Sequence, residues 1–312
     1  MHAASNQAES AALRTLLRSL GQIVLQPNAF TGACLLAAWL VCDPRLACAA
    51  LTGAIAANIG AALAGYRDDD TRDGLHGFNG ALAGLAAYTF VANDATAAAL
   101  AILAGISTAW LLQPWSRWLR ALGLGVYSSP CLIVTWLWLP LVKGGAATGP
   151  AAHVAAMLAP LPAGVLSGLA QTGFAYGALP GLLVLAGITA SSRRHAMWAV
   201  AGSSIGGGAH LLLGANPASF DAGLAGFNGA LTAIALAESA WGAALGGILL
   251  SVGLQQLAGR VGLPVMTAPF VVATWSVQWL IRQRTVNDRS RAAGQNTDGE
   301  PRRMTPTASR TS

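Results

Sequence analysis

The chain has 312 residues, 54% hydrophobic and only 10% charged, with a formal net charge of +6 and a mean hydropathy of +0.54. Soluble domains carry about 25% charged residues, so this composition excludes a water-covered globule and makes lipid the solvent for most of the length. The positive charge is not a nucleic-acid footprint, because seven Arg lie from Arg282 onward in a Ser/Thr/Gly/Asn-rich stretch.

A polar N-terminus (1–10) leads into an amphipathic stretch near 11–27 bearing Arg14 and Arg18. It lacks a small-residue cleavage site and is one of many such stretches, so it does not read as a signal peptide. Five apolar segments follow at roughly 29–42, 46–65, 75–92, 95–113 and 123–142. After a linker (143–152) comes a Pro-interrupted stretch near 153–172. Five more apolar segments lie near 174–190, 196–214, 223–237, 240–258 and 262–281. A membrane-crossing helix needs about 20 residues. The segments near 29–42 and 223–237 fall short of that, which predicts tilt, breaks or half-crossing, and 11–27 and 153–172 are candidate re-entrant elements. Residues 282–312 are too poor in large apolar side chains to pack, and are expected to form a disordered, basic, cytoplasmic tail.

The two sets are copies. Residues 74–82 read GLHGFNGAL and 223–231 read GLAGFNGAL, an offset of 223 − 74 = 149. The same offset places Gln22 on Gln171. Downstream, SSPCLIVTW (128–136) faces TAPFVVATW (267–275) with offset 267 − 128 = 139. The repeats are therefore 11–142 and 153–281. With five crossings each they enter the membrane from opposite sides, which makes an inverted repeat. With the N-terminus inside, the inner loops and tail hold 15 basic residues, and the outer loops hold only Arg45, Lys143 and Arg260. That asymmetry follows the positive-inside rule and places both termini in the cytoplasm. Trp39, Trp110, Trp136, Trp138, Trp198, Trp275 and Trp279 stand at segment ends, as an interfacial aromatic belt requires.

Several chemistries are missing. The apolar segments hold almost no acids or bases, and Glu238 lies only at a segment end. Ion-coupled carriers keep such groups at membrane depth, so passive passage of an uncharged solute is favoured. No GxxxxGK[ST] motif appears, which argues against an ATP-driven pump. Cys34, Cys42, Cys48 and Cys131 show no metal-ligand spacing. No nucleophile–base pair or metal set is visible, so no enzyme activity, cofactor or metal is expected. Another neutral-solute pore, for ammonia, water or short amides, is the alternative: its aquaporin form is weakened by Asn-Gly-Ala at 79–81 and 228–230 in place of Asn-Pro-Ala, and its ammonium-channel form by His76 and His210 not being repeat mates.

The repeated polar and aromatic positions form the candidate site. Gln22 and Gln171 each offer amide donors and an acceptor at opposite mouths of one pore. Phe78 and Phe227 sit in GFNG, where the glycines allow close backbone approach; Leu82 and Leu231 end the same motif. Asn79 and Asn228 are expected to supply an amide where an apolar helix begins. Phe174, three residues after Gln171, is expected on the same helical face; its mate is Leu25. Ser128 and Thr267 precede Pro130 and Pro269, and each Pro is expected to free a helical carbonyl that lines a cavity. Aromatic walls flanked by amides and hydroxyls suit a flat solute that both donates and accepts hydrogen bonds.

With the doubled GFNG, the LPVMTAPF stretch at 263–270 and the twin Gln segments, the sequence resembles the urea transporter family over roughly residues 10–282. The resemblance implies an all-α integral membrane protein whose two inverted repeats each carry about five transmembrane helices plus a tilted half-helix around a central pore. It implies a homotrimer in a bacterial inner membrane, with urea or a similar small neutral amide and the lipid bilayer as its partners. Its filter has outer sites at Gln22 and Gln171, slots walled by Phe78 and Phe227, and a centre at Ser128 and Thr267. Leu25 stands where a Phe is expected. The first-repeat copy of LPxxTxPF is degraded to Gly125, Val126, Tyr127 and Ser128, with Cys131 in place of Phe.

Overall fold

Fourteen α-helices account for nearly all of the computed structural model, which describes residues 2–66, 68–142, 161–260 and 264–298. No strand occurs among them. The first seven helices are α1 (His2–Gly21), α2 (Ala29–Cys42), α3 (Pro44–Leu63), α4 (Asp68–Arg72), α5 (Leu75–Phe90), α6 (Asp94–Ala121) and α7 (Ser129–Trp138). The next seven are α8 (Leu161–Gln171), α9 (Ala178–Ser191), α10 (Arg193–Leu212), α11 (Pro217–Asp221), α12 (Phe227–Ala235), α13 (Trp241–Arg260) and α14 (Ala268–Asp298). The expected linker and the start of the 153–172 stretch lie outside the described residues.

By length and hydropathy, α3, α6 and α13 can each cross a membrane. The stretch 10–24 and α2 qualify as a fourth span taken together, bent by 77° at their break. This is fewer than the ten crossings the segments suggest. α5, α7, α9 and α12 span 16, 10, 14 and 9 residues, and at 1.5 Å per residue each is shorter than the hydrocarbon core. The short segment at 29–42 is reproduced as α2, and the one at 223–237 narrows to the nine-residue α12.

Local chemistry sets the boundaries. Asn28, Asp43, Asn93, Ser192 and Asn216 each cap a helix by accepting from backbone N–H groups, which satisfies donors that a helix leaves open. The Asp-rich run expected as a loop contains the short α4. The last helix also differs from expectation: residues 282–298 continue α14 rather than forming a disordered tail. Adding a residue to an existing helix is cheap compared with nucleating one, and this stretch has one Gly, no Pro and several good helix formers. Residues 299–312 lie outside the described residues.

Small residues set the packing. A Cβ at Gly53 would collide with the Gly80 carbonyl, and one at Gly202 with the Gly229 carbonyl. These positions bring α3 onto α5 and α10 onto α12 at backbone contact, as membrane helices do where side chains are minimal. Gly32 meets Leu17 in the same way that Gly181 meets Leu166. In each case the two contacts are 149 residues apart. Gly53→Ala should force α3 away from α5 and cost about 3 kcal/mol or more by overpacking. Thermal unfolding in detergent should show a large drop against the wild-type chain, with a much smaller change for Gly246→Ala, where added bulk meets open space.

Candidate functional site

The non-glycine residues with positive φ among those described are Leu25, Tyr127, Phe174 and Met266, at 59°, 48°, 63° and 45°. Left-handed backbone is costly for a residue with a Cβ and persists where the surroundings enforce it, often at functional positions. They form two pairs: 174 − 25 = 149 and 266 − 127 = 139, the offsets read from the sequence.

The first pair ends the elements that carry the glutamines. α1 runs into a 3-10 turn at Gln22–Val24, which Leu25 closes by donating its N–H to the Gln22 carbonyl at 2.9 Å. α8 ends at Gln171, and Phe174 donates to the Gln171 carbonyl at 3.1 Å. The expectation that Phe174 shares a helical face with Gln171 is therefore corrected. The helix has stopped, and a left-handed turn carries Phe174 past its end. Gln22 Nε2 donates to the Asp73 carbonyl at 3.4 Å. The Gln171 Oε1 is buried with no hydrogen-bond partner, an arrangement that leaves a strong acceptor open in a dry place.

The second pair precedes α7 and α14. Here the asparagine expectation is corrected. Neither Asn79 nor Asn228 caps its own helix; each reaches across to hold the entry of another. Asn79 Oδ1 accepts from the Cys131 N–H at 3.0 Å while its Nδ2 donates to the Tyr127 carbonyl at 3.2 Å. Asn228 Oδ1 accepts from the Phe270 N–H at 3.2 Å while its Nδ2 donates to the Met266 carbonyl at 3.1 Å. Nδ2 of Asn228 also donates to Gln255 Oε1 at 2.9 Å. Both asparagines are fully buried. A side chain with one acceptor and one donor is what a left-handed turn into a helix needs, because that turn leaves a carbonyl and a first-turn N–H without backbone partners.

The proline expectation is corrected too. Pro130 and Pro269 lie in the first turns of α7 and α14, where the missing N–H displaces no helical carbonyl. The Val126 carbonyl instead accepts the Ser129 N–H at 3.3 Å and its hydroxyl at 2.5 Å.

These entries bring Ser128 and Thr267 together. Their hydroxyl oxygens are 2.7 Å apart, and both residues are buried. They mark the meeting point of the starts of α7 and α14, so both helix N-termini, with their partial positive charge, converge there. Tryptophans cross-link the same region. Trp136 Nε1 donates to the Pro264 carbonyl at 3.0 Å, and Trp275 Nε1 donates to the Gly125 carbonyl at 2.6 Å. Trp136 and Trp275 are mates at offset 139, and so are Gly125 and Pro264. The degraded first copy keeps its role here because the bond uses backbone, not side chain. Tyr127 packs edge-on against Phe270, with centroids 5.2 Å apart, and accepts a hydrogen bond from Gln278 at 2.6 Å.

Phe78, Leu82, Phe227 and Leu231 are buried, while Leu25 and Phe174 are half-buried. Leu25 packs against the apolar cluster of Leu132, Leu231, Phe270 and Val271, so first-half and second-half walls touch. Trp39 Nε1 donates to the Gly173 carbonyl at 2.6 Å, and Gln26 Nε2 lies 2.8 Å from His195 Nδ1. Each tie joins the halves beside one of the two glutamine turns. Tyr127, Met266, Gln255 and Gln278 were not among the sequence candidates. Tyr127 and Met266 stood one residue before Ser128 and Thr267 in the aligned blocks, but left-handed φ has no signature in a Tyr or Met. The charged residues of the described chain lie outside its buried set, and no group of acids, His and Cys there could hold a metal ion.

No curated protein matches the chain. The family model for the urea transporter matches residues 13–282, which include every candidate site residue. The chain therefore belongs to the urea transporter family, helical membrane proteins that carry urea across the bilayer and are not enzymes.

Proposed function

We propose that the chain forms a passive, channel-like pathway for urea between two inverted-topology repeats, as a homotrimer in a bacterial inner membrane with both termini cytoplasmic. The observation that carries this reading is the Ser128–Thr267 contact at 2.7 Å between the starts of two matched helices. Two mates can meet only on the axis that relates their repeats, and a solute path along that meeting point would run past equivalent groups on each side. The paired φ values, the paired glycine collisions and the reciprocal tryptophan bonds support the same axis.

In this pathway Gln22 and Gln171 stand at the inner and outer mouths. The open Gln171 Oε1 would accept from a urea N–H, and the amide donors would hold the urea carbonyl. Phe78 and Phe227 with Leu82 and Leu231 would wall the slots, and Leu25 and Phe174 would close their far sides. Asn79 and Asn228 would act by fixing Tyr127 and Met266 and so the central hydroxyls. Among the described residues, the buried set holds no acidic or basic residue other than His76 and His210. An ion would therefore lose its hydration without compensation, whereas urea exchanges water hydrogen bonds for those of the path.

Leu25 in place of an aromatic wall favours a second reading, a facilitator for another small neutral solute such as a short amide, ammonia or water. Stopped-flow light scattering on proteoliposomes separates the two. A urea channel passes urea fastest, acetamide more slowly and water little, with no dependence on a proton or sodium gradient. Equal permeation by all four solutes would overturn the urea assignment.

A further inference from the structure

The end of α6 lies beside the middle of α14, with a cleft of about 340 Å³ between them. Leu122 and Val286 give it an apolar floor, Trp279 a wall, and Arg282, Gln283 and Asn287 its polar groups. The Arg282 guanidinium makes one long bond, Nη1 to the Ala121 carbonyl at 3.5 Å, and has no other partner among the described residues. Gly123, at φ 70°, leaves the room it occupies, since a Cβ there would collide with it.

The surroundings share one sign. Arg117 and Arg120 are exposed on the last turns of α6, and Arg282 and Arg284 on α14. No Asp or Glu occurs at 95–142 or 264–287; the acids nearest along the two helices are Asp94, at the far end of α6, and Asp288, one residue past Asn287 on α14. Four arginines thus outnumber the one acid position close to them on these helices. Beside them Trp118 and Trp279 are 53% and 50% exposed, and Trp115 packs on Trp118 with centroids 5.0 Å apart. Exposed tryptophans are at home at the level of lipid headgroups.

We infer that this cleft binds the headgroup of an anionic phospholipid. The phosphate lies against Arg282 with Arg120 beside it, Gln283 and Asn287 donate to its oxygens or to the glycerol, and the acyl chains run past Leu122 and Trp279 towards the membrane-embedded start of α14. Arginine suits this role because its planar fork pairs with phosphate oxygens two at a time. A soluble phosphate would engage the cations but gain nothing from the apolar floor, which is why a lipid fits better than a free anion. The inference rests on the chain's residence in a bilayer, not on its solute.

The test uses the full chain in detergent, titrated with phosphatidylglycerol, phosphatidylcholine or inorganic phosphate and read by native mass spectrometry. Phosphatidylglycerol should bind, and the other two should bind at least tenfold more weakly. Each basic residue near an anionic lipid surface contributes about fivefold in affinity. Arg120→Gln/Arg282→Gln should therefore weaken phosphatidylglycerol binding by about thirtyfold, and Arg282→Gln alone by about fivefold. Arg282→Lys, which keeps the charge but not the fork, should fall between the wild type and Arg282→Gln, and Arg260→Gln, at the end of α13, should bind as the wild type does. A double variant that melts like the wild type and binds phosphatidylglycerol as tightly would overturn the inference. So would phosphatidylcholine binding equally well, or inorganic phosphate competing at the same concentration. Urea flux, measured after the same protein is reconstituted into liposomes, stands apart: its absence in the wild type would refute the transport reading and leave lipid binding intact.

Discussion

Urea flux through a Gln22→Leu/Gln171→Leu double variant should fall to the background of empty liposomes while the protein still folds. Each glutamine is a half-buried amide at the turn that ends its helix. Urea entering a dry slot must shed water, and an unpaired polar group in such a place costs about 1–3 kcal/mol. Removing the amide at one mouth therefore slows passage by about tenfold to a hundredfold. The path is in series, so the resistances of the two mouths add and the slower mouth limits flux. The single variants distinguish the mouths. Gln171 has an open acceptor in the dry interior, whereas Gln22 already spends a donor on the Asp73 carbonyl. Gln171→Leu should be the more damaging of the two. Stopped-flow light scattering with a matched thermal melt checks this, and undiminished flux in the double variant would remove the glutamines from the site.

Asn79→Leu and Asn228→Leu should each lower stability and flux together. Leu keeps most of the volume but supplies neither acceptor nor donor. In the first variant the Cys131 N–H and the Tyr127 carbonyl lose their side-chain partner; in the second it is the Phe270 N–H and the Met266 carbonyl. Two buried backbone groups left unsatisfied cost about 2–5 kcal/mol together. The left-handed turns at Tyr127 and Met266 then lose their clamps, and the central hydroxyls are no longer held 2.7 Å apart. Asn228→Leu should be the worse variant, because Gln255 Oε1 also loses its donor while Gln255 Nε2 keeps the Leu224 carbonyl. Thermal unfolding and urea flux measured on the same preparation decide the point. A variant that unfolds earlier yet conducts at the wild-type rate would show that the clamp supports the fold alone.

The architecture was readable from the sequence because its determinants are local or repeated. An apolar run declares itself residue by residue, so α2 was placed at 29–42 and α3, α5, α10 and α13 fell within a few residues of their segments. Gln22 and Gln171, and Ser128 and Thr267, were paired by the offsets of 149 and 139 because matching segments carry matching text. Helix length was less legible. α7 starts at Ser129 rather than near 123 because Gly123 and Tyr127 adopt positive φ, and nothing in a Tyr announces that. α14 runs past the last apolar residue because helix growth, once begun, needs no hydrophobicity.

What the sequence determined by itself was a helical membrane protein, its family, the matching segments and the identity of their polar residues, since each depends on residue identity and spacing alone. Only the tertiary structure decided what those polar groups do. Asn79 and Asn228 read as caps of the helices that contain them, yet they clamp helices 52 and 42 residues away. Ser128 and Thr267, 139 residues apart, share one hydrogen bond. A hydrogen bond depends on where two atoms end up, and between distant segments that position is set by glycine-mediated helix contacts such as Gly53 on Gly80, which no single segment encodes.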